Sequence, residues 1–272
     1  MSKKPKVGMW SGLTAVTAVL TAGAIVGTTV AFHYTTTVNN YLDADTYKII
    51  RGDSDEDTEY FKSDFTSDEE RESYEAELCA QVEAEGAALL KNDNNALPLA
   101  SGAKVSLFGH GSVDLMYGGT GSGSVDTSKA PNFKQALEDQ GIQVNSTLWD
   151  LYSSDDMMKN YSRITPAAIS DTLEANTQYA VNEAPWSKLS SAESSFADYG
   201  DAAIVVFSRS GGEGADLSYG EVNYLTLDEN EKAMLQNVAE MKKNGTVKKT
   251  IVLINSANAL QVDFLKNNEY DI

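Results

Sequence analysis

The sequence predicts an α/β fold: a doubly wound, mostly parallel sheet sandwiched by helices and preceded by one transmembrane helix. Three observations predict this fold. From about residue 100 onward, short apolar runs alternate with amphipathic helical segments, as in a parallel sheet. A strand, a glycine-rich loop, a helix and a second strand follow one another in the order of a βαβ unit. Residues 7–32 carry no charge, which is typical of a membrane span.

The N-terminal segment predicts the topology. Three lysines lie within residues 1–6, and the residues that follow the uncharged stretch are first neutral and then acidic. The positive-inside rule places such an N-terminus in the cytoplasm. We therefore expect residues 7–32 to be a single-pass span or uncleaved signal anchor at the cell membrane, with the remainder extracytoplasmic. A long signal peptide cleaved near Ala31 is the alternative.

Composition and charge exclude several classes of function. The net charge of −19 argues against nucleic acid as a partner, because no basic patch is present to neutralise phosphates. The single cysteine, Cys79, excludes an internal disulfide and is expected to be a small buried filler. His33 and His110 are far apart in sequence and no paired-histidine pattern occurs, so we predict no zinc site and no cofactor.

An acidic spacer and a helix are predicted next. Residues 33–66 form the extracytoplasmic spacer, and residues 53–72 contain ten acidic and two basic side chains. A capping box formed by Ser67 and Glu70 starts a helix that is expected to run to about Leu90. The expected buried face of this helix recurs every four residues and consists of Tyr74, Leu78 and Val82.

The βαβ unit follows. A strand is expected at residues 105–108 and leads into the loop at residues 109–126. The next helix is expected to have Pro131 near its first turn and Gly141 as its end. A second strand is expected at residues 142–145.

The remaining elements complete the alternation. Residues 149–186 are expected to be an irregular, partly helical insertion. Strands are expected at residues 202–207, buried on both faces, and at residues 250–254. Thr226 and Glu229 are expected to cap a helix that ends at Asn244, with Leu235, Val238 and Met241 inward. A helix at residues 259–266 precedes residues 270–272, which resemble the opening of a strand, so we expect an incomplete sheet.

Glu213 is the most informative residue of the chain. It lies in the glycine-rich run of residues 208–216, directly after the apolar strand at residues 202–207. Ligands of open α/β sheets bind outside the carboxyl ends of the strands. The glycines of this run let the backbone turn sharply and approach a ligand closely. A solvated acid on a plain turn is the alternative.

The loop at residues 118–124 supports more than one interpretation. Its G-G-x-G-x-G spacing, about ten residues after the strand, matches neither a dinucleotide fingerprint nor a Walker loop. It can instead lie over a small neutral ligand and offer backbone N–H groups and hydroxyls, or be merely flexible. Nearby Tyr117, Tyr219 and Tyr224 suit stacking on a sugar, although tyrosines are also ordinary core residues.

Three segments together resemble a known family. They are AEGAALLKN with the following LPL (residues 84–99), GGTGSG (residues 118–123) and SRSGGEGAD (residues 208–216). Their types and order resemble the α/β sandwich domain of glycoside hydrolase family 3, over roughly residues 75–272. As a set they are fairly specific, whereas none of the three would suffice alone.

The resemblance implies a retaining glycosidase, most often a β-glucosidase, that acts on β-glucosides or related oligosaccharides. In that family the nucleophile is an aspartate of a separate TIM-barrel domain, and the general acid/base is a glutamate of the sandwich domain. The glutamate corresponds to Glu213. The resemblance further implies that substrate contacts come from the same loops: Arg209, Asp216, Gly119, Thr120 and Ser122.

The sequence also departs from the family. Leu217 stands where the family motif often has arginine, so a sugar contact is missing or supplied by Arg209. A barrel needs about 250 residues, and anchor and spacer occupy the chain before residue 67. We therefore expect residues 67–272 to be an incomplete sandwich domain, inactive alone, whose barrel lies downstream or on a separate chain. A membrane-anchored glycan-binding module and a degenerate remnant are the alternatives.

Overall fold

The structure, a computed structural model, describes residues 7–42, 62–119, 121–164, 179–212, 217, 224–266, 270 and 272. Two compact units divide the chain, residues 1–82 and residues 83–272. The first helices are α1 (Val7–His33), α2 (Thr35–Tyr41) and α3 (Asp68–Gly86), and the last residues of α3 belong to the second unit. The second unit also contains α4 (Phe133–Asp139), α5 (Ser146–Tyr152), α6 (Asp155–Asn160) and α7 (Glu229–Lys243). Its strands are β1 (Lys104–Phe108), β2 (Gln143–Val144), β3 (Ala202–Arg209) and β4 (Thr250–Ser256).

Helix α1 has the length and apolarity of a membrane span. Its Trp10–His33 portion has a mean hydropathy of 1.8 and no buried residue in the most apolar window. Thr14, Thr17 and Thr29 each donate to a carbonyl four residues earlier at 2.9 Å, so their hydroxyls are satisfied within the helix. The helix is therefore a candidate membrane span or signal sequence.

Helix α3 begins where the capping pattern predicts. The amide of Glu70 donates to Ser67 Oγ at 3.2 Å, and the Glu70 carboxylate accepts from the amide of Thr66 at 2.8 Å. The helix ends at Gly86, four residues before the predicted Leu90.

The predicted buried face of α3 was wrong. No described residue of the helix is buried, and Tyr74, Leu78 and Val82 are all exposed. Cys79, expected in the core, is exposed as well. A four-residue spacing predicts that side chains share one face of a helix, but it does not show that another element covers that face.

The sheet confirms the predicted fold class. Its four strands are all parallel, in the order β2-β1-β3-β4. β1 and β2 flank the glycine-rich loop and α4, as the βαβ prediction requires. β3 lies between β1 and β4, and all eight of its residues are buried. The loop that follows β3 therefore starts at the middle of the sheet, between the ends of β1 and β4.

Two apolar clusters cover the two faces of the sheet. Alternate residues of β3 point to opposite faces, and Ala203, Val205 and Phe207 belong to one cluster while Ala202, Ile204 and Val206 belong to the other. The first cluster includes side chains of α5 and α7. The second cluster includes side chains of β2 and, at its border, of α4. The central strand β3 is thus buried between the two clusters on both faces of the sheet, as predicted.

Helix α7 follows the prediction with one correction at its start. Leu235, Val238 and Met241 are buried as expected. The N-cap is Asp228, which with Glu231 forms the capping box in place of the predicted Thr226 and Glu229. Both pairs have the same three-residue spacing, and the tertiary position of Glu231, described below, favours the later pair.

The C-terminal part of the sheet is less covered than predicted. Only Thr250 of β4 is buried, and no described residue pairs with the outer edge of this strand. A groove of about 590 Å³ lies there, with Leu89, Leu90 and Leu253 among its walls. The predicted helix at residues 259–266 is reduced to the 3-10 turn Asp263–Lys266. The structure describes only Tyr270 and Ile272 of the predicted last strand, and neither lies in a strand.

The predicted insertion at residues 149–186 is partly described. It contains the end of α5, α6 and the start of the 3-10 segment Trp186–Ser195. An isolated antiparallel bridge between Ile164 and Ala180 joins its two described ends. Residues 165–178 lie outside the described residues.

Candidate active site at the carboxyl edge of the sheet

Two glycine-bearing loops meet beyond the carboxyl ends of β1 and β3. Because the strands are parallel, the loops that follow them emerge at the same edge of the sheet. A β-carbon on Gly119 would lie 3.2 Å from the carbonyl oxygen of Gly211. The loop of residues 109–119 therefore packs closely on residues 210–212, which follow β3, and glycine permits this approach.

The backbone of Ser210 is held on both sides. The amide of Ser210 donates to the hydroxyl oxygen of Tyr224 at 2.7 Å, and that hydroxyl donates back to the Ser210 carbonyl at 3.0 Å. Asn258 Nδ2 donates to the same carbonyl at 2.6 Å. A β-carbon on Gly211 would lie 2.8 Å from Asn258 Oδ1. This part of the loop is rigidly placed two to three residues before Glu213.

Arg209 has a different position from the one predicted. Its guanidinium donates twice to the Glu231 carboxylate, at 2.8 and 2.7 Å. Its other three N–H groups donate to the carbonyls of Tyr224, Ser208 and Thr226 at 2.9 to 3.2 Å. All five donors are thus used inside the domain. The expected contact between Arg209 and a sugar does not fit this geometry, because a buried ion pair would first have to break.

The stem of the glycine-rich loop is tied to β4. Asn255 Nδ2 donates to the Met116 carbonyl at 3.0 Å, and Asn255 Oδ1 accepts from the Met116 amide. The same oxygen accepts from Ser208 Oγ at 3.0 Å. One amide side chain at the end of β4 thereby bonds to both the loop after β1 and the end of β3.

A half-buried ion pair lies beside this amide. Arg163 donates to Asp114 Oδ1 at 2.8 Å and to Ser208 Oγ at 2.7 Å. Asp114 Oδ2 lies 3.2 Å from His110 Nε2. Burial opposes ionisation of Asp114, but the hydrogen bond from His110 and the positive charge of Arg163 prevail, so the pKa of Asp114 lies below its usual value. The carboxylate is therefore ionised at neutral pH.

A small cavity of about 20 Å³ lies against this cluster. Its walls include His110, Arg163, Glu183 and Ser208. Two buried atoms there, His110 Nδ1 and Arg163 Nε, have no hydrogen-bond partner within the described part of the chain. The volume is enough for one water molecule.

Glu183 is a buried carboxyl that the sequence did not reveal. Its oxygens accept from the amides of His110 at 2.8 Å and Ala184 at 2.9 Å. Burial raises the pKa of Glu183 to about 8, against the opposing effect of these amides and with a further contribution from Glu231. Burial, together with the nearby Glu183, also raises the pKa of Tyr152 well above its usual value. Glu183 is consequently protonated at neutral pH.

The structure describes only some of the predicted site residues. Gly119 is half-buried at the junction of the two loops, and Ser122 is exposed on the 3-10 turn Gly121–Gly123. The three others lie outside the described residues: Glu213, Asp216 and Thr120. The sugar-binding and catalytic roles of these residues stay predictions.

The nearby tyrosines differ in position. Tyr117 is exposed and donates to the Pro131 carbonyl at 2.8 Å. Tyr224 is buried and holds Ser210, so its ring is part of the loop support. Tyr219 lies outside the described residues. In the part of the chain that is described, no group of three His, Cys, Asp or Glu side chains could hold a metal ion.

The fold and the two loops define the class of protein: an α/β domain with a candidate ligand site at the carboxyl edge of its sheet. Residues 87–271 match the family model described as the glycosyl hydrolase family 3 C-terminal domain, and the chain belongs to this family. A 146-residue match, 35% identical, relates it to β-glucosidase A of Butyrivibrio fibrisolvens and covers 52% of this chain and 15% of that protein.

Two solved structures have the same fold. A β-glucosidase of Paenibacillus barengoltzii is 26% identical, with a TM-score of 0.56, over 72% of this chain and 20% of that one. β-Glucosidase 3B of Thermotoga neapolitana, solved in complex with glucose, is 25% identical, with a TM-score of 0.56, over 72% of this chain and 26% of that one. The chain spans only a small part of the length of each relative.

Proposed function

We propose that this chain supplies the acid/base domain of a membrane-anchored, retaining glycoside hydrolase that acts on β-glucosides or related oligosaccharides. The observation that carries the proposal is the meeting of two loops. The loop that leads to Glu213 leaves the end of buried strand β3 and packs through Gly211 on Gly119 of the glycine-rich loop. Membership of the family and the β-glucosidase relatives support the same assignment.

In this proposal Glu213 protonates the leaving oxygen. A retaining glycosidase uses two carboxyl groups about 5–5.5 Å apart, one as nucleophile and one as acid and then base. The nucleophile would be an aspartate of a TIM-barrel domain, downstream or on a separate chain. A general acid must hold its proton near neutral pH, and closure of the barrel over the loop would raise the pKa of Glu213 by burial.

The described contacts supply preorganisation. Ser210 is held by Tyr224 and Asn258, so the acid would be presented from a stem that does not need to reorganise during the reaction. The proposed sugar contacts are backbone N–H groups and hydroxyls of the glycine-rich loop, at Gly119, Thr120 and Ser122, together with Asp216. Arg209 supports the stem of the loop in this scheme and does not contact the sugar.

The test of the catalytic role uses the complete enzyme, in which this chain is joined to its barrel. Glu213→Gln should lower turnover of glycosides with poor leaving groups by a factor of about 10² to 10⁴. Activated aryl glycosides should lose far less in the glycosylation step, because their leaving group departs without protonation. Glu240→Gln, which changes an exposed glutamate of α7, is the matched control. Equal loss on both substrate types would exclude the role.

The competing hypothesis is that the chain is a glycan-binding module without catalytic activity. Calorimetry on the chain with glucose and short β-glucans would then give measurable affinity, while the protein with its barrel would give no turnover. Turnover that depends on Glu213 would reject the binding module as the main function.

The proposed membrane topology has its own test. We propose that α1 anchors the protein with residues 1–6 in the cytoplasm and the domain outside. Membranes washed with alkaline carbonate should retain the chain, and external protease should digest the domain of intact spheroplasts. Release of the chain by carbonate, with an N-terminus shortened to near Ala31, would indicate a cleaved signal peptide.

A further inference from the structure

Arg163 touches both loops of the candidate site, although it belongs to neither. We propose that Arg163 is a positioning residue: through Ser208 and Asp114 it fixes the stems of the two loops relative to each other, and so determines where Glu213 is presented. This inference rests on the proposed function of Glu213.

The two bonds of Arg163 reach the two stems separately. Nη1 donates to Ser208 Oγ at 2.7 Å, directly before the run of residues 209–212 that leads to Glu213. Nη2 donates to Asp114 Oδ1 at 2.8 Å, in the loop that continues to Gly119. A planar guanidinium holds its two acceptors at a fixed separation and angle, which a flexible ammonium group cannot do. This side chain therefore bonds to both stems and restrains the distance between them.

A second set of hydrogen bonds, made by Asn255, connects the same two stems. Ser208 Oγ accepts from Arg163 and donates to Asn255 Oδ1 at 3.0 Å. Asn255 in turn binds both backbone groups of Met116, two residues after Asp114. Arg163, Ser208 and Asn255 thus form a closed ring of bonds with residues 114–116. A closed ring resists shear between the loops better than either bond alone.

Burial strengthens the arrangement. The Arg163 side chain is 15% exposed and that of Asp114 is 30% exposed, so the pair is only weakly screened by solvent. The buried Arg209 and Glu231 pair already joins β3 to α7. Loss of Arg163 should consequently disturb the loops more than the folding of the domain.

The first arm of the test uses the full chain in detergent and needs no activity. Arg163→Ala should speed amide hydrogen exchange at residues 110–119 and 208–212 by about tenfold or more, with exchange in α7 unchanged. Arg71→Ala is the matched control, because it removes an arginine with an exposed partner, Glu75. No change in the loops, or equal acceleration in α7, would overturn the inference.

The second arm measures turnover in the complete enzyme. Arg163→Ala should lower kcat by roughly 10- to 100-fold, as a misplacement of about 1 Å would, with KM changed about twofold at most. Millimolar guanidinium should restore part of the lost turnover, whereas equimolar urea should not. A merely structural role predicts no such rescue. Arg163→Lys should retain an intermediate rate.

Ser208→Ala, together with the Glu213→Gln variant introduced above, distinguishes failure of this inference from failure of the proposed function. Ser208→Ala removes only a hydroxyl, and should give a smaller loss in the same direction even if Arg163→Ala fails to fold. If Glu213→Gln is inactive while the Arg163 and Ser208 variants are fully active, the inference fails and the proposed function stands. If Glu213→Gln is fully active, the proposed function fails, and the hydrogen-exchange arm alone decides whether Arg163 orders the loops.

Discussion

Arg209 and Glu231 form a buried ion pair with two parallel hydrogen bonds, and their side chains are 1% and 3% exposed. The pair joins the last residue of β3 to the first turn of α7. Glu231 also accepts from the amide of Asp228 at 2.9 Å, so it completes the capping box of the helix. A single carboxylate thereby connects the start of α7 with the loop that leads to Glu213.

Removing one partner of this pair should destabilise the domain strongly. Arg209→Met leaves the Glu231 carboxylate buried without its cation, and we expect a loss of about 3–5 kcal/mol in the free energy of unfolding. Arg209→Met combined with Glu231→Met should recover part of that loss, because no uncompensated charge then remains. Denaturant unfolding of the full chain in detergent, followed by tryptophan fluorescence, measures both. A single variant as stable as the wild type would contradict the expectation.

Gly109 should tolerate no side chain. It has φ +92°, and a β-carbon there would lie 2.6 Å from the Val206 carbonyl oxygen. Gly102 also has positive φ, +75°, but no atom lies within 4 Å of its β-carbon position. Gly102→Ala should therefore cost about 1–2 kcal/mol for the backbone conformation alone.

Gly109→Ala should cost more than Gly102→Ala for two reasons. The Gly109 backbone, with φ 92° and ψ 142°, lies close to the region that essentially only glycine adopts, and an alanine there must in addition move β3 or the loop after β1. We therefore expect at least ~2 kcal/mol more destabilisation than for Gly102→Ala. Equal unfolding midpoints for the two variants would show that the backbone relaxes without cost at Gly109.

Glu183 should make stability fall with rising pH. Its pKa is about 8 in the folded protein, whereas an unfolded glutamate has the ordinary pKa of 4.5. Between these values the folded state holds a proton that the unfolded state has released, so raising the pH favours unfolding. The stabilisation by protonated Glu183 is fully present below pH 4.5 and is lost by about pH 8. Between these values the free energy of unfolding falls by up to about 1.4 kcal/mol per pH unit.

Glu183→Gln should flatten this part of the pH profile. The substitution removes the titration but also one acceptor for a backbone amide, so the slope and not the absolute stability is the quantity to compare. Unfolding curves from pH 5 to 8 for wild type, Glu183→Gln and the exposed control Glu193→Gln measure it. Parallel wild-type and Glu183→Gln profiles would rule out titration of Glu183 in this range.

Elements with their own local pattern were predicted well. The β-branched run of β3 and the glycine-terminated helix α4 lie where the sequence predicts them. Predictions that needed a tertiary partner were less successful. The apolar residues of α3 and β4 have the right spacing or composition, yet α3 is exposed and β4 is half-covered. Periodicity describes one element, whereas burial needs a second one.

In the candidate site, too, local sequence patterns were predicted and tertiary contacts were not. The two glycine-bearing loops were predicted, because glycine runs after strands are visible in the sequence. Asn255 lies near the carboxyl end of β4 and Asn258 follows this strand. The rule that ligands bind beyond strand ends could have identified both. Arg163 and Glu183 had no such signal. Arg163 bonds to Ser208, 45 residues away, and Glu183 bonds to His110, 73 residues away.

By itself the sequence determined the alternation of strands and helices, the uncharged N-terminal helix and the family resemblance, since each depends on residues close together in the chain. Only the tertiary structure decided that Arg209 is buried on Glu231, that Asp228 caps α7, and that Arg163 joins the two loops. These outcomes depend on which polar groups meet away from water. A buried charge or donor must find a partner, and that partner is chosen by the packing of the whole domain and not by neighbouring residues.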